Sequence, residues 1–495
     1  MKLLANFNKW DRFTKLTFFI IVFGIFLRFF IAFFVSPAGD STWHLSVARF
    51  IAREGHIPLF EELGRVVFWA PPLFHIVAAF FYRTFLLLGE DVALKSMNFV
   101  LPLFGSLSLI VFAFIAKHFL KKPRTVFIAV SFLVFLPIHI YYSTISHIDG
   151  FLTFWVLLAF LLALKKRFFW CSLVAGIGLL SKYNFIFILP VIIFLIFSNY
   201  DFKKSVSKII LFCVVMFAVG LPWYLRNLIK LGNPIFYFLN NLFKFLGFNP
   251  FLYETLTNSS VSNLFDLSYL SKAFLDFFGV PLGLVNNLSN INLPLMPFPL
   301  ILWLVVISIF FAILVFSFFV KKDRQLNIIF YIFFISFLVM LILYLYDFGD
   351  MFLRLFLPAI SILGLFFAKG VESILKTKFR YVLVVFLIFC FVLFSAAEVF
   401  KVNIAREQYT RYSDDFSWCL QNLPEDAVVS PQSTVLTYYL DRFSSDGTDS
   451  QLTEFHISSK LTWKKDPLSE KVLKKNYELI YSNDKTEFYV YERIN

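Results

Sequence analysis

The chain has 495 residues, 59% of them hydrophobic and 16% charged, with a mean hydropathy of +0.77, which lies outside the soluble globular range and reads as a polytopic membrane protein. The net charge of +13 comes from small basic clusters set between apolar runs, a pattern of membrane orientation that argues against nucleic acid as a partner. Cys171, Cys213 and Cys390 fall in apolar runs and Cys419 stands alone near the carboxyl terminus, which excludes a disulfide framework and a thiolate metal site.

The first apolar run, 16–35, follows the basic residues Lys2, Lys9, Arg12 and Lys15 and carries Arg28, and it reads as a retained first span. Just beyond it, Gly39-Asp40 opens a predicted amphipathic helix over 41–54, stopped by Gly55, with Trp43, Val47, Phe50 and Ile51 on one stripe and His44 four residues from Asp40. Such a helix is expected to lie in the membrane interface. Its acid is either a general base, taking the proton of an attacking hydroxyl or amine, or a helix cap after a glycine. The next run, 72–89, opens on Pro71-Pro72 and contains His75 and Arg83. It is read as lying along the outer surface or dipping in and returning. The clusters Lys117/Lys121/Lys122/Arg124, Lys165/Lys166/Arg167, Lys203/Lys204/Lys208, Lys321/Lys322/Arg324 and Lys376/Lys378/Arg380 then all become cytoplasmic, as the positive-inside rule requires.

About eleven spans follow, near 16–36, 97–117, 125–142, 150–165, 168–181, 185–199, 208–225, 297–320, 327–346, 352–369 and 380–398. The amino terminus is inside and the carboxyl terminus outside. A first outer loop over 36–97, a second over 226–296 and the tail then share one side with Asp40. Asp149, in Ser146-His147-Ile148-Asp149-Gly150, falls there too. It could orient an acceptor, bind a divalent ion with Asp40, or cap the helix that follows. His44, His75 and His147 lie on the same side, but a full ligand set for a metal is not in view. The spans around 176–183 are short for a crossing, which predicts that they open onto a cavity. The positive-inside rule leaves Arg28, Lys182, Arg226 and Arg354 unexplained, so a phosphate or pyrophosphate clamp and snorkelling anchors are both open for them. Residues 1–398 form the transmembrane domain and 399–495 a small soluble α/β domain, with strand-like runs at 427–430, 435–440, 479–482 and 488–491.

Several elements in this order carry a resemblance. They are Gly39-Asp40 after the first span, Pro71-Pro72-Leu73, Asp149 after the third span and Leu180-Ser181-Lys182-Tyr183. Pro222-Trp223-Tyr224 with Arg226-Asn227, then Gly232-Asn233-Pro234, and Arg354 four residues before Pro358 complete the set. Over roughly residues 15–370 the chain resembles the GT-C superfamily of glycosyltransferases that use polyprenyl-phosphate-linked sugars, in the branch of protein O-mannosyltransferases and bacterial aminoarabinose transferase.

The resemblance implies a GT-C-like helical membrane domain and transfer of a hexosyl or pentosyl group with inversion. A polyprenyl-phosphate-linked sugar is the implied donor, a protein or glycolipid the acceptor, and membrane lipids the surroundings. Asp40 matches the catalytic base, Asp149 the second acid near acceptor or base, and Lys182 and Arg354 positions near the lipid phosphate. His44, His75, His147 and Arg226 complete the candidate substrate-binding set. No cofactor is expected, with a divalent metal left open. One departure is Ala70, where relatives often carry a basic residue before the Pro-Pro pair; Arg65 or His75 is the candidate to replace its phosphate contact. The rival reading is a lipid-linked-sugar flippase, for which internal repeats and midplane helix breaks are expected and no repeat is visible. The expected location is the cell (inner) membrane, with the endoplasmic reticulum membrane as the alternative.

Overall fold

The computed structural model describes residues 9–37, 39–59, 68–236, 240–248, 308–314, 316–317, 324–348, 357–377, 380–382, 385–386, 389–390, 410–445, 452–459 and 468–494. Arg354 and Arg65, most of the 226–296 loop and most of the 380–398 span lie outside them. The chain divides into two compact units, the first formed by 1–31, 101–144 and 148–401, the second by 32–100, 145–147 and 402–495.

In chain order the helices are α1 (Arg12–Phe34), α2 (Asp40–Glu54), α3 (Leu73–Phe85), α4 (Glu90–Met97), α5 (Val100–Phe119), α6 (Pro123–Phe135), α7 (Pro137–Tyr142), α8 (Ile148–Leu164) and α9 (Phe168–Ser181). A 3-10 segment, Tyr183–Ile188, leads to α10 (Leu189–Phe197), α11 (Phe202–Leu231) and α12 (Asn240–Phe245). They are followed by α13 (Arg324–Phe348) and α14 (Leu357–Ile374). Among the described residues, four helical stretches are long and apolar enough to cross a membrane: Arg12–Phe34, Glu90–Phe119, Phe202–Leu231 and Leu357–Ile374.

The first unit buries an apolar core around Phe112, Phe132, Phe160 and Phe185, while α1 exposes Phe18, Phe19, Phe23, Phe26 and Phe30. Exposed phenylalanine at this density on a single helix is a surface for hydrocarbon. Two spans differ from expectation. The 125–142 run breaks at Leu136, which is extended (φ −68°, ψ 114°) because the ring of Pro137 excludes the helical conformation from the residue before it. The 208–225 run grows to the 30 residues of α11, which takes in Lys203, Lys204 and Lys208 at one end and Arg226 near the other.

In the second unit α2, α3 and α4 pack with the tail. The tail comprises α15 (Ser413–Asn422), β1 (Val428–Ser430), α16 (Thr434–Leu440), β2 (Phe443–Ser444), β3 (Phe455–Ser459), α17 (Glu470–Asn476), β4 (Tyr477–Asn483) and β5 (Phe488–Arg493). The sheet order is β2-β1-β3-β5-β4. Strand β1 runs parallel to β2 and β3, and β5 is antiparallel to β3 and β4.

Here the 435–440 run is helix and not strand. The Ser433 hydroxyl accepts the Leu436 amide, and Val435, Leu436, Thr437, Tyr438 and Leu440 are all buried, a burial that does not alternate. Helix α2 is more enclosed than a single apolar stripe predicts. Trp43 and Val47 are buried as the stripe requires, but so are Ser41, Thr42, Ser46 and Arg49 on the other faces, because α3 and α16 pack around the helix.

Candidate active site

Asp40 is the first residue of α2, and the position before it, the N-cap, belongs to Gly39. Gly39 has φ +54°, a conformation that side chains other than glycine rarely adopt, and no side chain caps the helix. The capping reading of Asp40 therefore does not describe this helix start. The Asp40 carboxylate is half-exposed, and its Oδ2 lies 3.9 Å from His147 Nδ1, an ion pair when that imidazole is protonated. Negative charge in the first turn is favoured by the helix dipole.

One turn on, His44 is buried, and its Nδ1 lies 3.0 Å from His75 Nε2. His75 is fully enclosed, with the rings of Phe68, Phe74 and Trp43 around it, and burial pushes its imidazole down to about 3. The enclosed His75 imidazole is thus engaged with His44 inside the second unit. The second unit also holds a cavity of about 820 Å³, lined by Phe33, Phe34, Lys95, Phe99 and Tyr439 among others but not by Asp40. Its mixed lining suits an amphipathic molecule.

The other candidates lie in the first unit. Asp149, buried in the first turn of α8, accepts a bond of 2.7 Å from Lys182 Nζ. Two glycines make this possible. A Cβ on Gly150 would stand 1.8 Å from the Tyr142 carbonyl oxygen, so only glycine lets α7 end against the start of α8. A Cβ on Gly178 would stand 2.1 Å from the Phe185 ring, so only glycine lets the chain fold back after Lys182.

The Leu-Ser-Lys-Tyr and Pro-Trp-Tyr-x-Arg-Asn elements, 40 residues apart in sequence, meet around this turn. Tyr224 donates to the Leu179 carbonyl at 3.1 Å, and Asn227 donates to the Tyr183 hydroxyl at 3.3 Å. Arg226 donates to Asn227 at 2.8 Å and lies 4.7 Å above the Trp223 ring. Arg226 is thus a helical residue braced against an aromatic face, a more definite state than a loop anchor.

Arg28 does not join this group. It is fully buried and donates to the carbonyls of Gly24 and Val134 and to His139 Nδ1 at 2.9, 3.4 and 2.8 Å. His139 carries no local signal of its role, because its partner is 111 residues away. No group of three or more His, Cys, Asp or Glu side chains that could hold a metal forms among the described residues.

The family model for dolichyl-phosphate-mannose-protein mannosyltransferases matches residues 71–223, a stretch with Pro71-Pro72, Asp149 and Lys182 but without Asp40. Among curated protein sequences none matches this chain. Among solved structures, ArnT from Cupriavidus metallidurans bound to undecaprenyl phosphate is similar with a TM-score of 0.64, 13% identity and coverage of 96% of this chain and 97% of that one. The archaeal oligosaccharyltransferase AglB from Archaeoglobus fulgidus, in complex with an inhibitory peptide and a dolichol-phosphate, is similar with a TM-score of 0.52 and 11% identity, over 98% of this chain and 75% of that one.

Proposed function

We propose that this chain, whose fold is similar to that of ArnT, is a membrane glycosyltransferase of the GT-C superfamily moving a sugar from a polyprenyl-phosphate donor to an acceptor hydroxyl or amine, with Asp40 as general base. The observation that carries the proposal is the state of Asp40 itself: a half-exposed carboxylate just past the first span, not engaged as a helix cap, with His147 Nδ1 3.9 Å away. A sugar on a polyprenyl phosphate cannot leave the bilayer, so its base has to stand where a span ends. The phosphate already activates the anomeric carbon, and the protein has to supply a base and positive charge.

In the proposed reaction the acceptor oxygen or nitrogen attacks the anomeric carbon as the bond from that carbon to the phosphate oxygen breaks. The acceptor proton passes to Asp40, and the departing polyprenyl phosphate carries away the bonding electrons. Direct displacement inverts the anomeric centre. Lys182 meets the charge growing on the phosphate, and Asp149, bonded to it at 2.7 Å, holds its ammonium in place. Arg354 is proposed beside it on sequence order alone. The acceptor is a protein or a glycolipid, and the reaction takes place at the outer face of the cell membrane.

The test is transfer or hydrolysis of sugar from a panel of radiolabelled polyprenyl-phosphate sugars by the purified protein and by Asp40→Asn. We expect one donor to turn over, and the variant to lose about 10²–10⁴-fold in rate without unfolding, the range of a missing general base. Equal turnover by both proteins removes Asp40 as base. Failure with every donor, native membranes being present to supply acceptors, moves the assignment to the flippase.

A further inference from the structure

We infer that the tail positions the candidate base, because Tyr439 and Asp441 hold the chain on both sides of Asp40. On one side the Tyr439 hydroxyl donates to the Pro37 carbonyl at 2.9 Å, three residues before Asp40, with the tyrosine ring stacked on Phe416 at 4.9 Å. On the other side Asp441 accepts from two arginines of α2, Arg49 at 2.6 Å and Arg53 at 2.7 Å. Arg49 also donates to the carbonyls of Tyr438 at 3.2 Å and Thr437 at 3.3 Å. Those carbonyls belong to the end of α16, where oxygens lack intrahelical partners, so the guanidinium caps the short helix while it pairs with Asp441. Arg53 turns its other nitrogen to Glu90 at 3.0 Å, and Glu90 accepts the Tyr82 hydroxyl at 2.6 Å.

The hold bears on Asp40 for two reasons. The Arg49 side chain is only 4% exposed, and a buried guanidinium cannot leave its carboxylate without stranding charge, so α2 cannot slide along its axis. Asp40 lies nine residues before Arg49, about 14 Å along a rigid helix at 1.5 Å per residue, so a shift at one end is carried to the other. The Asp40 end needs such support, since Gly39 beside it has positive φ and open space around the position of a Cβ. Tyr439 and Asp441 are therefore positioning residues for the proposed base, an inference that rests on the reading of Asp40 given above.

The full-length protein decides the matter through steady-state kinetics of Tyr439→Phe and Asp441→Asn with the donor found above, beside donor binding and thermal unfolding. A displacement of the order of 1 Å at a reacting group costs up to ~100-fold, so we expect kcat per folded molecule to fall roughly 3–10-fold in Tyr439→Phe and about 10–100-fold in Asp441→Asn. Donor affinity is expected to stay within about twofold, the split seen when an interaction made only in the transition state is removed. Unchanged kcat in both variants, or weaker donor binding at unchanged kcat, overturns the inference. Tyr439→Phe removes a single hydroxyl and carries the test should Asp441→Asn fail to fold. If Asp40→Asn is inactive while both tail variants turn over like the parent, only the positioning role falls; if Asp40→Asn turns over normally, the base assignment falls with it.

Discussion

A lysine and an aspartate in contact inside an apolar bundle invite two explanations, a structural pair and a catalytic pair, and Lys182 with Asp149 permits a separation of the two. Breaking such a pair from one side leaves a buried charge and costs about 3–5 kcal/mol, whereas replacing both partners with apolar side chains of similar volume is often neutral. Asp149 is 4% and Lys182 16% exposed, so the pair is shielded enough for this logic to apply. We expect Lys182→Met and Asp149→Leu each to lower the unfolding temperature, and the double variant to recover most of it. The double variant should nevertheless stay far below the parent in turnover of the polyprenyl-phosphate donor, because the cation proposed to meet the growing phosphate charge is gone and Arg354 alone remains. A double variant that is both stable and active would make the pair purely structural. Calorimetry and donor turnover on the three proteins are sufficient.

Glycine decides the local geometry at the level of helices. Gly178 is the clearer instance, because a Cβ there would meet the Phe185 ring at 2.1, 2.3 and 2.7 Å, and that ring is itself fully buried. We expect Gly178→Ala to cost about 1–3 kcal/mol through overpacking, read as a lower unfolding temperature, and to move the Lys182 turn enough to weaken donor binding. Retained stability and affinity would mean that Phe185 can rotate away. This close approach was only half legible in the sequence. The shortness of the spans around 176–183 predicts an opening onto a cavity, and what the structure has there is an extended Lys182 between α9 and a 3-10 segment. Nothing local announced that Tyr224 and Asn227 would brace it. The same limit explains the 435–440 run, whose residues Val435, Thr437 and Tyr438 favour strand by propensity. A capping serine and burial on several faces overrode that preference. Asp441 lies 388 residues from Arg53, a separation at which periodicity carries no information.

Across the whole chain the legible part is the hydropathy: 59% hydrophobic residues and repeated apolar runs pointed to a helical membrane fold, and the similarity to ArnT extends over 96% of the chain. Orientation remains a proposal, resting on five basic clusters and on one decision, that the segment around α3 does not cross. The structure puts α3 in the second compact unit with α2 and the tail, and its buried residues include His75 and Tyr82. Its other face exposes Ile76, Phe80 and Phe85, so α3 joins a packed face to an apolar one, the pattern of a helix that lies along a membrane surface. If it does not cross, Lys121 is cytoplasmic and the tail lies outside; if it does, both reverse, because one extra span inverts everything after it. Single cysteines at two exposed positions, Lys121→Cys and Asp484→Cys, in a background with the native cysteines replaced by serine, convert this into a labelling experiment on spheroplasts. We expect a membrane-impermeant maleimide to label Asp484→Cys in sealed spheroplasts and Lys121→Cys only after permeabilisation. The opposite pattern would make α3 a span and put the tail in the cytoplasm. That result would also end the positioning role of the tail, since Pro37, Arg49 and Arg53 precede α3 and would stay on the outer face with Asp40 while the tail stood inside; their direct contacts with Tyr439 and Asp441 are therefore a further reason to expect that α3 does not cross.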